Sequence, residues 1–197
     1  MRFPRLAQYL GQLPDSLASY PECLSKAMLA RSSIEGHDLS ELDEGLPPAV
    51  RDAIWNPPPA GVWMSAVLTD AVFHAVCDRF YPSQKAIEEW SLRRTRTTST
   101  NRVYRRLIGV AGPAVFLRIA EEFHNRLVQK GTVVRIEVDK RESLIHVTHP
   151  PYLHNTTKHA TNVPMLTSLL EIVGGKDVIV EMRISDPDRA QYRATWR

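Results

Sequence analysis

The sequence predicts an α+β fold: an N-terminal layer of helices packed on a small four-stranded antiparallel sheet, with a C-terminal half running β-β-α-β-β. Three observations predict it. Val115, Phe116, Ile119, Phe123 and Leu127 recur at helical spacing and stop before Gly131. Directly after it, Val134, Ile136 and Val138 alternate with Arg135, Glu137 and Asp139, and Leu144–Thr148 returns as a partner strand. The same alternation reappears at Val178–Ile184 and Tyr192–Trp196, whereas the N-terminal half carries helical periodicity instead. One face of such a sheet is covered by helices and the other is partly solvated.

Taken in order, Met1–Pro14 is an extended segment or a short helix on the core. Leu17, Tyr20, Leu24, Ala27, Met28 and Ile34 have roughly helical spacing, and Pro21 suits the first turn of a helix that ends at Gly36. His37–Pro48 is acidic and turn-rich, a surface loop. Val50 and Ile54 mark a short helix, and Asn56–Gly61, with three successive prolines, breaks regular structure. That break divides an N-terminal helical segment, 1–56, from a main body, 57–197, within one compact unit. Val62–Tyr81 is apolar on most sides, hence a buried helix; Ser83 caps the next, with Ile87, Trp90 and Leu92. Arg93–Arg106 holds six arginines and no acid, and its Thr/Ser run weakens helix, so a loop or frayed helix end is expected before helix resumes near Arg102. After the first hairpin, Pro150–Pro151 stops the strand, His154–Asn162 is a polar loop, and Val163–Val173 is a helix ended by Gly174–Gly175. SDPDR turns the last hairpin.

Composition bounds the function. The chain has 197 residues, 43% apolar and 24% charged, with a net charge of +3, ordinary for a soluble globular protein. Cys23 and Cys77 are in no CxxC pair and read as reduced thiols of a cytoplasmic protein. No secretory signal or membrane-spanning run is present, so no membrane insertion is expected. GxSxG, GxGxxG and GxxxxGK[ST] are absent, and the Glu88/Glu89 and Glu121/Glu122 pairs diverge on their helices, so a non-enzymatic role is expected.

Three groups of residues carry candidate chemistry. Arg93, Arg94, Arg96, Arg102, Arg105 and Arg106, with Tyr104 able to stack on a base, form a candidate surface for an acidic partner or anion. Nucleic acid is a lesser alternative, because no known binding motif accompanies them. His146, His149, His154 and His159 supply imidazoles of the kind that bind transition metals, but their spacing fits no common metal motif. His74 and Cys77 are neighbours on the apolar helix; with Trp63, Phe73 and Phe116 they outline a candidate pocket for haem or a hydrophobic ligand.

The order YPECLSKAMLAR, an acidic loop into LPP, a PPP break, VYRRLIGVAGPAVFLRIAEEFHNRL, a hairpin ending HPPYL, and a last strand ending in tryptophan resembles a family of myxobacterial domains of about this length. Those domains are distantly similar to haem-dependent nitric-oxide-binding and vinyl-reductase-type sensor domains. The resemblance implies a helical cap over a small sheet, a pocket between them, and a sensory or adaptor role. The Tyr-x-Ser-x-Arg signature of the haem-binding relatives is absent, so no ligand residues carry over. The leading expectation is a cytoplasmic signalling or regulatory module without a cofactor, binding a partner protein or small molecule through the arginines or through an unpaired C-terminal strand that could also form a homodimer. The alternatives are a haem or hydrophobic-ligand sensor and a nucleic-acid binder.

Overall fold

The computed structural model of the chain describes residues 2–42, 45–99 and 112–197. The elements are α1 (Pro4–Gln12), β1 (Leu24–Lys26), α2 (Met28–Ile34), α3 (Pro48–Trp55), β2 (Trp63–Ser65), α4 (Ala66–Phe80), α5 (Gln84–Ser99), α6 (Gly112–Phe123), β3 (Gln129–Lys130), β4 (Val133–Val138), β5 (Glu142–Thr148), α7 (Thr156–Ile172), β6 (Ile179–Asp186) and β7 (Arg189–Thr195). This is the α+β class that the alternation and helical periodicities predict. The second sheet has the order β4-β5-β7-β6, all antiparallel, so the β-β-α-β-β reading holds.

Two apolar cores result. The first gathers α1 to α4 and part of α5 around Tyr9, Ile54, Val72, Phe73 and Ile87, and takes in Leu153 from beyond β5. Residues on both sides of the Asn56–Gly61 break share it, Ile54 and Met64 among them. The second lies between the inner face of the four-stranded sheet (Val134, Ile145, Val147, Val180, Tyr192) and Leu117 of α6 and Leu170 of α7. The outer face presents Glu137, Leu144, Arg193 and Glu181 in one cross-strand row, the half-solvated side expected of an antiparallel sheet.

Helix α1 has no cap of its own. Asp78, near the end of α4, supplies one: its carboxylate accepts from the Arg5 and Leu6 amides at 3.1 and 3.0 Å and pairs with the Arg5 guanidinium at 3.3 Å. Two of the orphan amides of α1 are thereby satisfied, which seats the helix on α4.

Several expectations need correction. Leu24–Lys26 is not helix: it pairs with Trp63–Ser65 on one side and Gln129–Lys130 on the other, making a three-stranded sheet that strands this short do not announce by periodicity. The buried helix starts at Ala66, not Val62, with Ser65 as its cap accepting from the Leu68 amide at 3.3 Å. Arginines 93, 94 and 96 lie in α5, which runs on to Ser99; Thr95 and Thr97 bond back to the carbonyls of Ser91 and Arg93 and are accommodated in the helix. Arg102, Tyr104, Arg105 and Arg106 lie outside the described residues. The polar run 154–162 is mostly the start of α7 rather than a loop, since Asn155 caps a helix from Thr156.

The C-terminal strand is not an unpaired edge. β7 sits inside the sheet between β5 and β6. The edge strand β4 is also engaged: Asn125 accepts from the Val134 amide at 2.8 Å and donates to its carbonyl at 2.7 Å, and Glu121 accepts from the Ile136 amide at 2.7 Å. Side chains here take the place of a neighbouring strand.

Gly131 does not cap the helix, which ends in a wide π turn at His124–Val128 followed by β3. It turns the chain between β3 and β4 at φ +81°, and a Cβ there would overlap the Cys23 sulfur. Gly131→Ala is therefore expected to lower stability by about 3 kcal/mol, from a left-handed alanine plus forced repacking. Gly61→Ala, where a Cβ meets nothing within 4 Å, should change it by less than about 0.5 kcal/mol. Urea unfolding of the two variants checks this.

Candidate functional site: a polar seam between two cores

Helix α4 is apolar all round and buried along most of its length, yet it carries Asp70 and His74 one turn apart, both buried. Facing it are the turn that follows β5 and the first turn of α7. The Asn155 side chain accepts from the Lys158 amide at 3.1 Å, so α7 begins where Lys158 reaches Asp70 and Phe73 of the helical half. Together these groups form a polar seam between the two cores.

Its centre is Asp70. The carboxylate accepts from His154 Nδ1 at 2.6 Å and pairs with Lys158 Nζ at 3.1 Å. Burial alone would raise its pKa; the Lys158 ammonium and His154 outweigh that and hold it well below the usual carboxylate range. His154 Nε2 meets the Thr132 hydroxyl at 3.0 Å, and Lys158 Nζ lies 4.5 Å from the Phe73 ring centroid. A second group stands beside it: His149 Nε2 and His159 Nε2 are 3.0 Å apart, and Asn162 Nδ2 donates to the Tyr192 hydroxyl at 2.9 Å, which itself lies 3.3 Å from His159 Nδ1. The Tyr9 hydroxyl crosses the seam to the Leu153 carbonyl at 3.0 Å, and Tyr20 reaches the Pro151 carbonyl at 2.8 Å.

His74 differs from the others. It is fully buried, and neither ring nitrogen has a hydrogen-bond partner. The Tyr9 and Phe73 rings flank it at 4.8 and 5.1 Å between centroids. Burial, only partly opposed by Asp70, lowers its pKa to about 3, so the imidazole is neutral with a free electron pair. Burial pushes the Cys77 thiol up to about 12 and, helped by Glu22, Cys23 up to about 11; neither is a thiolate nucleophile at neutral pH.

The structure brings Phe73, His74 and Cys77 together in the first core. It places Trp63 on the small sheet, between Lys26 Nζ at 3.8 Å and Lys130 Nζ at 4.7 Å from its ring, and Phe116 against the second core. Of the four clustered histidines, His149, His154 and His159 meet in the seam, while His146 lies on the outer sheet face beside Gln191 and Glu137. Among the described residues, no group of three or more His, Cys, Asp or Glu is set to hold a metal ion. The described arginines diverge: Arg93 is exposed, Arg94 donates to Ser33 at 3.1 Å and lies over Trp90, and Arg96 pairs with Glu171 at 3.6 Å. They do not converge on one anion. Asp70 and Lys158, the charges that organise the seam, are absent from the sequence-based candidates. The available signal was a carboxylate four residues before a histidine inside an apolar helix.

A hollow of about 150 Å³ lies at the outer end of the seam, lined by Gln12, Tyr152, His154, Asn155 and Asp186 among others. Among the described residues, no helix is long and apolar enough to cross a membrane.

Comparison with protein families finds no match, and neither does comparison with curated proteins. Solved structures do match. An oxygen-binding H-NOX domain related to soluble guanylate cyclases aligns with 86% of this chain and 92% of its own, at a TM-score of 0.58 and 12% identity. An H-NOX structure solved to probe the function of haem distortion aligns with 87% of this chain and 92% of its own, at 0.57 and 12%. A mutant H-NOX of T. tengcongensis aligns with 100% and 98%, at 0.50 and 13%. The chain has an H-NOX-like fold, which supports the haem-nitric-oxide-binding part of the sequence resemblance; its myxobacterial part has no counterpart in these comparisons. The expectation of no cofactor does not stand, because solved structures of this fold include haem proteins.

Proposed function

We propose that this chain is a ligand-sensing domain of signalling proteins, which takes haem into the seam between its helical layer and its sheet half with His74 as protein donor. Two things support the reading: the fold is shared with haem and oxygen-binding domains, and His74 offers a donor with nothing to bond. The second carries it. A buried imidazole with both nitrogens unpartnered is costly unless something else satisfies it. Its neutral state and aromatic flanks suit an iron ligand. Bound haem supplies an iron able to take a diatomic gas. The protein's part is to donate the imidazole, to exclude water with Tyr9 and Phe73, and to pass the change on through Asp70, one turn away and joined to α7 by Lys158. Because the chain lacks the Tyr-x-Ser-x-Arg signature, its contacts to the rest of the group differ from those of the haem-binding relatives. His74 has no exposed surface, so admission requires the two halves to part along the seam.

A pyridine-haemochrome assay on protein produced with excess haem precursor tests this. Stoichiometric haem is expected in the wild type, with loss or an altered spectrum in His74→Ala. A haem-free wild type, or an unchanged spectrum in the variant, contradicts the reading.

A further inference from the structure

The turn from Pro150 to His154 belongs by sequence to the sheet half, yet it is plugged into the helical half. Leu153 is fully buried in the first core, its carbonyl takes the Tyr9 hydroxyl, the Pro151 carbonyl takes Tyr20, and His154 bonds Asp70. On its other side the turn meets α7 through His159, whose ring stacks on His149 at 5.0 Å between centroids, with nitrogens 3.0 Å apart, and meets the His154 ring edge-on at 6.2 Å; the His149–His159 contact is the hydrogen-bonded one. Tyr9, which holds the plug, also packs on His74.

The pair is built for one shared proton. His149 Nδ1 lies 2.9 Å from the Pro150 carbonyl, which can only accept, so that nitrogen carries hydrogen and Nε2 of the neutral ring is bare. His159 Nε2–H then fills the 3.0 Å gap between the rings, and His159 Nδ1 faces the Tyr192 hydroxyl. One added proton places a charge in a buried site already facing Lys158. Two added protons would set N–H against N–H across the same gap. Both histidines are buried, and burial lowers their pKa values to about 4 for His149 and about 3 for His159. The groups facing them come from the elements packed around them: Asp70 of α4, His154 of the turn, Lys158 of α7, Tyr192 of β7 and Asp188 between β6 and β7. Asp70 is already engaged by two cationic or donor partners and is not free to neutralise the pair.

We infer that the His149–His159 pair is a proton-operated latch: proton uptake by the two rings releases the Pro150–His154 plug from α7 and opens the seam above Tyr9 and His74. The inference does not depend on which ligand enters there.

Hydrogen exchange of the full chain reads the latch. The plug has bonded amides to follow: His149 to the Asp188 carbonyl at 2.9 Å, Tyr152 to Pro187 at 2.6 Å and Leu153 to Pro150 at 3.1 Å. Corrected for intrinsic rates, their opening equilibrium should rise on the order of 600-fold from pH 7 to pH 5 through this pair, and about 25-fold less in His159→Gln, which leaves one titrating ring. Amides of the β4–β5 hairpin should stay protected. All other groups are common to the two proteins, so the ratio isolates the pair. If His159→Gln does not fold at pH 7.5, His149→Gln is read in its place. Plug and hairpin opening together, or an equal pH dependence in wild type and variant, would overturn the latch.

Discussion

Replacing Asp70 by alanine is expected to cost about 3–5 kcal/mol of folding stability, the range for breaking a buried ion pair from one side. The carboxylate is 1% exposed and its Lys158 partner 19%. Without it the ammonium sits over Phe73 with no counter-charge, and His154 Nδ1 loses its acceptor. Asp70→Asn should lose nearly as much, because an amide restores shape but no charge. The exposed Arg193–Glu142 pair is the contrast: Glu142→Gln should cost less than about 1 kcal/mol, since solvent screens it. Urea unfolding at pH 7.5 separates the cases, and similar losses at both positions would show that the seam does not join the halves.

Mild acid should have an effect as large. His74, His149 and His159 titrate lower in the folded chain than the ordinary imidazole value of 6.5, chiefly through burial. As pH falls below 6.5 the unfolded chain takes up protons first, so stability drops until the folded pKa values, about 3 to 4, are reached. Each ring contributes about 2 kcal/mol of loss at pH 5. Asp70 works at lower pH: its depressed pKa keeps its contribution intact until pH falls through the unfolded carboxylate value of 3.8. Denaturation midpoints at pH 7.5, 6 and 5 should therefore fall steeply. A flat profile would mean that the imidazoles are not sealed from solvent.

The four-stranded sheet was legible because its hairpins alternate residue by residue and are punctuated by KRE and SDPDR. β1, β2 and β3 were not: two or three residues carry no period, and only their mutual pairing makes them strands. The start of α7 was hidden for a different reason. Polarity in Asn155–Asn162 resembles a solvated loop, but Lys158 and His159 turn their polar groups into the seam, where Asp70 and His149 meet them, and the Thr161 hydroxyl bonds back to the Lys158 carbonyl within the helix. The candidate site was half visible. His74 stands out as a histidine in an apolar helix, and the close spacing of His149, His154 and His159 marks a cluster. Tyr9 and Tyr192, and Asp70 with respect to His154, are distant in sequence and meet them only through packing.

Titration of the full chain with haemin at pH 7.5, followed in the Soret region, tests the central claim most directly. A band that grows and saturates at one equivalent, and that is lost or shifted in His74→Ala, is the expected result. No saturable band, or one indifferent to His74, would contradict it.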